Sequence, residues 1–220
     1  MARRLTRRKM QAPRDTITAQ YEDKDAPSLL LKLRGPDRPG VIGSVTTALE
    51  RNNLYVAKID FSTGVGEKGQ ANYNMKIDAR GGSRANFQEV ARMVEAGEMG
   101  EQLGAEKDSR IHLRGSYVFH IDVYTPDLPF LTASVASRVS MKRKSGGKTE
   151  RGSIVSLYGI THNSEGPQGG TAYFALRASI ATRECDVSEQ IIADLQKWAQ
   201  STIEAVGGTL LILVPPPKRR

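Results

Sequence analysis

Residues 33 to 45 read LRGPDRPGVIGSV, and the order of residue types in this stretch decides the fold around it. The apolar run at residues 29 to 33 is typical of a buried strand. Residues 35 to 40 then combine two glycines with two prolines, which favour a tight turn, and Pro39 suits the first turn of a helix. The stretch therefore predicts a strand that turns sharply into an amphipathic helix, whose buried face consists of Ile42, Val45 and Leu49.

A related string, YTPDLPFLTASV, occupies residues 124 to 135 and indicates an internal repeat. Pro36-Asp37-Arg38-Pro39 aligns with Pro126-Asp127-Leu128-Pro129 at an offset of about 90 positions. A polar, basic segment at residues 141 to 152 interrupts the second copy. Beyond it the copies align again about 100 positions apart, so that NLYVAKIDFST matches SIVSLYGITHN and ANYNMKIDA matches TAYFALRAS.

Each copy then carries a second helical pattern and a short closing strand pattern. The closing strands are predicted at residues 110 to 115 (RIHLRG) and 208 to 214 (GTLLILV). The later helix contains Asp186-x-x-Glu189, the pattern of a capping box. The apolar helix faces are Phe87, Val90, Ala91 and Val94 in the first copy and Val187, Ile191, Leu195 and Trp198 in the second.

The order of elements in each copy is β-α-β-β-α-β, which is the ferredoxin-like arrangement. The sequence therefore predicts an α+β fold of two ferredoxin-like domains with antiparallel sheets. Helices would cover one face of each sheet, and the open face favours packing of the copies on each other or a dimer. The predicted segments are a basic, flexible tail at 1–27, a first domain at 28–115, a second domain at 116–216 with a basic insert at 141–152, and a basic tail at 217–220.

The net charge of +8 belongs to the two ends of the chain. Nine of the 32 Lys and Arg residues lie in residues 1 to 14 and 218 to 220, which leaves 23 against 24 acidic residues in the body. A near-neutral body argues against a nucleic-acid-binding surface spread over the protein. The single cysteine and the lack of a long apolar segment favour a cytoplasmic protein without a membrane span. The Arg-rich start leaves organelle import as an alternative.

The patterns that resemble catalytic motifs fail on their context. Residues 64 to 69 match G-x-G-x-x-G, but a strand pattern follows where a dinucleotide site needs a helix. The acidic neighbours of Cys185 would raise the pKa of its thiol, which does not suit a nucleophile. The three histidines have no partner at metal-ligand spacing. We therefore expect no enzyme activity, no metal and no cofactor.

The turn at residues 35 to 40 suggests a binding site on physical grounds. The first backbone amides of a helix have no partner within the helix, and together with the helix dipole they attract an anion. A glycine at position 40 leaves room for a ligand to reach these amides. Asp37 could cap the helix or hold an ammonium group. A carboxylate on the amides and an ammonium on Asp37 would together bind a free amino acid, whereas the alternative is a rigid connector with Asp37 as the cap.

The stretch LLLKLRGPDRPGVIGSVTTALERNNLYVAKID, residues 29 to 60, resembles the first half of an ACT domain. Two such units in a short chain are similar to the glycine cleavage system transcriptional regulators, and the resemblance covers residues 28 to 216. It implies ligand sites between paired units. The implied first site consists of Asp37, Arg38, Pro39, Gly40, Val41 and Ile42, with Asn52, Asn53 and Leu54 beside it, and a second, weaker candidate consists of Asp127, Leu128, Pro129 and Phe130.

The resemblance implies a non-enzymatic regulatory protein that binds a small amino acid, such as glycine, and signals to a partner protein or within a homo-oligomer. Thr125 and Phe130 replace the two glycines of the first turn, which leaves open whether the second copy binds a ligand. Two other functions remain as alternatives. One is a nucleic-acid-associated protein that uses the basic tails and the 142–151 insert, and the other is a structural adaptor with inactive ligand sites.

Overall fold

The computed structural model describes residues 16–22, 28–37, 40–65, 71–95, 117–128, 130–164 and 171–215. The first half contains strands β1 (Thr16–Glu22), β2 (Ser28–Pro36), β3 (Tyr55–Val65) and β4 (Ala71–Arg80), with helices α1 (Val41–Arg51) and α2 (Arg84–Glu95). The second half contains β5 (Tyr117–Pro126), α3 (Leu131–Ser140), β6 (Arg143–Ser145), β7 (Lys148–Glu150), β8 (Ser153–Ser164), β9 (Thr171–Thr182), α4 (Cys185–Trp198) and β10 (Thr209–Leu213). One π-helical turn (Ala199–Ile203) and one 3-10 turn (Glu204–Val206) join α4 to β10.

Eight of the strands form one antiparallel sheet in the order β1-β2-β4-β3-β8-β9-β5-β10. In the second half this order places the last strand beside the first, as in a ferredoxin-like fold. In the first half β1 takes the corresponding outer position, because it pairs with β2 along its whole length from Thr16 to Glu22. The mixed helix and strand composition of the predicted α+β class is confirmed by this sheet and the helices that cover it.

The two halves join edge to edge through β3 and β8. Lys58 lies opposite Ile160, and Asp60 lies opposite Tyr158, so that the register is symmetric about the pair Ile59 and Gly159. A side chain at position 159 would be too close, because an added Cβ would lie 2.6 Å from the Phe174 ring and 3.0 Å from Cγ2 of Ile59. Glycine therefore permits the contact at the centre of the joined sheet.

The helices pack on one face of the sheet around a single hydrophobic core. The predicted face of α1 is buried, as are the matching residues of α3, because the apolar positions of each helix point toward the strands. α1 and α3 also pack against each other, and a Cβ on Gly43 would lie 3.7 Å from the Cβ of Ala136. The core strand residues alternate with exposed ones; they include Leu29, Leu31, Leu33, Met75, Ile77, Phe119, Ile121, Leu176 and Ile180.

Three predictions about the segments are wrong where the structure describes them. The tail predicted at residues 1–27 includes β1, whose alternate residues Ile17 and Ala19 pack against the core. The insert at residues 141–152 forms the hairpin β6–β7 instead of a loop. The predicted packing of the two copies on each other through their open sheet faces is also wrong, because the halves meet at their edges. The alternative, a dimer formed through that open face, stays a prediction.

Two local predictions also need correction. The capping box at Asp186 and Glu189 does not form, because α4 begins at Cys185 and Asp186 falls inside its first turn. The closing strand predicted at residues 110 to 115 lies outside the described residues, and β1 occupies the expected place beside β2. The strand predicted at residues 208 to 214 is confirmed as β10. A strand, β4, also follows the glycine-rich segment at 64 to 69, as predicted.

Candidate functional site

The N-terminus of α1 lies directly beyond β2. Gly40 precedes the helix with φ 90° and ψ −7°, a left-handed conformation that favours glycine. Its carbonyl accepts the first helical hydrogen bond, from the Ser44 amide at 2.9 Å. Because Gly40 has no side chain, the residue at the N-cap cannot satisfy the amides of the first turn. The positive end of the helix dipole therefore lies beside a position without side-chain bulk.

A small cleft adjoins this helix end, and both halves of the chain contribute to its walls. Asp37 and the start of α1 form one side, whereas the end of α3 and the start of β8 form the other. The enclosed part has a volume of about 20 Å³, which is close to the space of one water molecule. A larger ligand would therefore also occupy the open part of the cleft. The lining residues are Asp37, Gly40, Val41, Ile42, Gly43, Phe61, Ala136, Val139, Ser140, Gly152, Ser153 and Ile154.

Four of the residues assigned to the first site lie together in this cleft, namely Asp37, Gly40, Val41 and Ile42. Asp37 is half-buried at the end of β2 and takes part in a contact of its own. Val41 and Ile42 are buried, so their backbone, rather than their side chains, would face a polar ligand. Arg38 and Pro39 lie outside the described residues.

The other three assigned residues, Asn52, Asn53 and Leu54, lie at the opposite end of α1 and do not line the cleft. The Asn52 side chain donates to the Ala48 carbonyl at 2.9 Å, and Leu54 is a core residue. Asn53 has φ 56° and forms the turn into β3. The structure therefore does not bring these three residues to the N-terminus of their own helix.

The side wall of the cleft comes instead from the second half, at Gly152, Ser153 and Ile154. These residues are the repeat equivalents of Asn52, Asn53 and Leu54 at the offset of about 100 positions. The repeat alignment contained this equivalence. It identifies residues 152–154 as a wall of the cleft only when the antiparallel contact between α1 and α3 is known. That contact places the end of each helix beside the start of the other.

The corresponding turn in the second half has a different environment. Phe130 precedes α3 with φ 62°, a left-handed conformation that is unusual for a residue with a side chain, and it is about half exposed. Burial raises the pKa of the Asp127 carboxyl, and the nearby Thr161 opposes this shift. Leu128 is half-buried and packs against the core, whereas Pro129 lies outside the described residues.

Glu50, near the end of α1, reaches this second turn. Burial raises the pKa of its carboxyl to about 7, and the backbone of Phe130 opposes the shift through a hydrogen-bonding interaction. The Oε2 atom is fully buried and has no hydrogen-bond partner among the described residues. At the first cleft the repeat equivalent of Glu50 is Ser140, whose hydroxyl donates to the Ala136 carbonyl of its own helix at 2.8 Å. The two helix ends therefore differ in the residue that faces them.

The cysteine and the described histidines do not line the cleft. Slight desolvation and the charges of Glu189 and Asp186 raise the pKa of the exposed Cys185 thiol, in the direction predicted from the sequence. His120 pairs with the Ser179 hydroxyl at 2.9 Å on the sheet. Among the described residues, no three His, Cys, Asp or Glu side chains cluster closely enough to hold a metal ion. None of the described helices is both long enough and apolar enough to span a membrane.

Comparison with known proteins gives only distant structural likenesses. No family model and no curated protein matches the chain. An unknown protein from Galdieria sulphuraria is similar in structure at 15% identity and a TM-score of 0.37, over 86% of this chain and 98% of that one. A crystal structure named "putative glycine cleavage system transcriptional repressor" is similar at 14% identity and a TM-score of 0.29, with the same coverages. At such low TM-scores neither likeness establishes a fold or a function for this chain.

Proposed function

We propose that this chain is a non-enzymatic regulatory protein that binds a small amino acid between two ACT-type units. Its first unit takes β1 as the outer strand, and its second unit ends with β10. The resemblance of the GPDRPG turn to the ACT family motivates the proposal. Its physical support is the cleft, which combines the groups that a free amino acid requires.

The observation that carries the proposal is the position of Asp37 beside the N-terminus of α1 in one cleft. The helix amides favour the α-carboxylate of the ligand, and the Asp37 carboxylate favours the α-ammonium. Neither group alone would distinguish an amino acid from a simple anion or a simple amine. Their common cleft selects a ligand that carries both charges close together.

The walls of the cleft favour a small side chain on the ligand. Gly43, Gly152 and Ser140 leave little space between α1, α3 and β8. The apolar residues Phe61, Val139 and Ile154 complete the lining and offer no partner for a polar side chain. Glycine or another small amino acid therefore fits these walls best.

A ligand in this position would contact both halves at once, and through this contact its binding would affect the binding of a partner. The ligand would connect the start of α1 with the end of α3, so it would stabilise one arrangement of the two helices. A ligand shifts a conformational equilibrium only through such a difference in contacts. The output would be altered binding to a partner protein or to a second copy of this chain.

The direct test is calorimetric titration of the full chain with each of the twenty amino acids. The proposal predicts binding of one or a few small amino acids, with weaker or no binding of large ones. D-alanine and acetate serve as probes that alter the geometry or remove the ammonium group, and both should bind less tightly than glycine or L-alanine. If none of the twenty amino acids binds, the proposal is contradicted and the structural adaptor is favoured.

One observation favours a second candidate, contact with nucleic acid. A groove of about 550 Å³ on the open sheet face of the first half is lined by Lys32, Arg34 and Lys76, together with Asp60, Ser62 and Asn74. Cations on an exposed sheet can follow a phosphate backbone. Binding of a single-stranded oligonucleotide that weakens steeply with salt, and that is lost in a Lys32→Ala and Lys76→Ala double variant, would support this candidate.

A further inference from the structure

We propose that Glu50 is a built-in occupant of the second helix N-terminus, where its carboxylate takes the place of a ligand carboxylate and keeps that site closed. The inference deepens the proposed function and rests on it, because it states which of the two turns is open to a ligand. The side chain at position 50 closes the second site, whereas the shorter side chain at position 140 leaves the first site open.

The antiparallel packing of α1 and α3 places these two side chains in corresponding positions. Ser140, at the end of α3, lines the cleft that contains Gly40 at the start of α1. Glu50, near the end of α1, interacts with the backbone of Phe130 at the start of α3. Ser140 is the repeat equivalent of Glu50, and Phe130 is the repeat equivalent of Gly40, both at the offset of 90 positions. The start of α1 therefore has the short side chain of Ser140 beside it, whereas the start of α3 has the carboxyl group of Glu50.

Glu50 is partly buried, and one oxygen of its carboxyl group is removed from solvent, so the contact with the start of α3 is not a wholly exposed one. Its Oε2 atom has no access to solvent and no hydrogen-bond partner in the part of the chain that the structure describes. Removal of a carboxylate from solvent is unfavourable, and the hydrogen bond with the Phe130 backbone offsets only part of this cost, because burial still raises the pKa of Glu50. The carboxyl group of Asp127 lies on the same turn, and Arg51 follows Glu50 at the exposed end of α1. A free ligand anion would have to displace Glu50 from the backbone of Phe130.

Phe130 adds a second barrier, because its side chain stands where the first turn has Gly40. The test therefore compares two variants that both lack this barrier. Phe130→Gly alone retains Glu50, and Phe130→Gly with Glu50→Ser introduces the residues of the first turn at both positions. Titration with glycine should give one site per chain for the parent and for Phe130→Gly, and two sites for the double variant. A double variant with one site, or a Phe130→Gly variant with two, would overturn the inference.

The reciprocal variant closes the first site. Ser140→Glu should abolish glycine binding to the parent cleft, whereas Ser137→Glu, which adds the same carboxyl group to an exposed position of α3 outside the cleft lining, should retain it within about twofold. Circular dichroism melts show whether each variant is folded. Glycine binding by a folded Ser140→Glu protein at the affinity of the parent would overturn the inference, because a carboxylate at this position would then not occupy the helix N-terminus.

A measurement without any ligand separates this inference from the proposed function. Backbone amide chemical shifts of Leu131 and Thr132 are followed from about pH 5 to about pH 9 in the full chain. If Glu50 occupies the start of α3, both amides titrate with the Glu50 carboxyl, and Glu50→Gln abolishes the change while Asp127→Asn retains it. Amides that do not titrate, or that titrate equally in Glu50→Gln, would overturn the inference. If glycine fails to bind but these amides titrate as expected, the proposed function fails for glycine and the role of Glu50 stands.

Discussion

At the scale of single residues, the two helix starts show how one backbone conformation can serve two purposes. Gly40 and Phe130 both adopt a left-handed conformation before a helix. For Gly40 this conformation carries little strain, and a Cβ would meet no described residue within 4 Å. For Phe130 the same conformation costs on the order of 1 to 2 kcal/mol. The turn geometry is therefore kept in both halves, whereas the space beside the helix amides is kept in only one.

Glu50 gives a residue-scale prediction about pH and stability. Its carboxyl has a pKa of about 7 in the folded chain, against 4.5 as the ordinary value. A raised carboxyl pKa means that the folded state binds the proton more tightly, so its stabilising contribution is complete below about pH 4.5 and is lost as the pH rises through about 7. Glu50→Gln removes the ionisable carboxyl group, so the variant does not lose this stabilising contribution as the pH rises. After allowance for its partial exposure, the variant should exceed the parent in unfolding free energy by about 1 kcal/mol at pH 8.

The measurement is urea unfolding of both proteins at pH 4 and at pH 8. Ser137→Ala, which changes an exposed side chain on α3 and retains Glu50, is the control and should show the same difference between the two pH values as the parent. A parent that is as stable relative to Glu50→Gln at pH 8 as at pH 4 would contradict the assigned environment of Glu50.

At the scale of elements, the hairpin β6–β7 shows where sequence reasoning reached its limit. Charge and glycine content predict a loop at residues 141–152, because nothing local reveals a partner for these polar residues. The partner is α4, which lies far along the chain. Arg143 is buried and pairs with Asp194 at 3.2 Å, and Ser145 donates to Asp186 at 2.7 Å. Tertiary contacts of this kind also explain why Asp186 does not cap its helix, although the local pattern predicts it.

The ion pair of Arg143 and Asp194 gives an element-scale prediction. Burial lowers the pKa of Arg143, and Asp194 opposes this shift, so the pair keeps a buried guanidinium charged. Asp194→Ala would leave that charge without its partner and should lower the unfolding free energy by about 1 to 3 kcal/mol. Asp122→Ala is the matched control, because it removes the partner of Arg177, whose side chain is 76% exposed. Equal thermal midpoints for Asp194→Ala and the parent would show that the hairpin contact is unimportant for stability.

At the scale of the whole molecule, the repeat predicted the element order of the second half well and that of the first half less well. The helix faces, the turns and the paired central strands follow from periodicity, which is a local property. The two halves join at β3 and β8, and β1 adds to the sheet beside β2. Several strand edges are available for such pairing, and no local sequence pattern determines which edge is used. The candidate site shares this limit. Its first wall was predicted from the GPDRPG turn, and its second wall depends on how the halves meet.

β1 gives the whole-molecule prediction. Deletion of residues 1–22 would remove the strand that covers β2 and would expose an unpaired sheet edge beside the buried Leu29, Leu31 and Leu33. We expect the thermal midpoint to fall by several degrees, since a loss of about 1 kcal/mol lowers it by about 2 to 4 °C in a chain of this size. Deletion of residues 1–15 alone leaves β1 in place and is the control. If the two deletion variants have the same thermal midpoint, β1 does not contribute to the stability of the sheet.

The most direct test of amino-acid binding at the start of α1 compares Gly40→Phe with Gly40→Ala by calorimetric titration with glycine. Both variants place a side chain at φ 90° and so carry similar backbone strain, but only phenylalanine fills the space beside the helix amides. Gly40→Phe should lose on the order of 2 kcal/mol of binding free energy, about 30-fold in affinity, whereas Gly40→Ala should lose much less. A folded Gly40→Phe protein that binds glycine as tightly as the parent would show that the GPDRPG turn is only a connector.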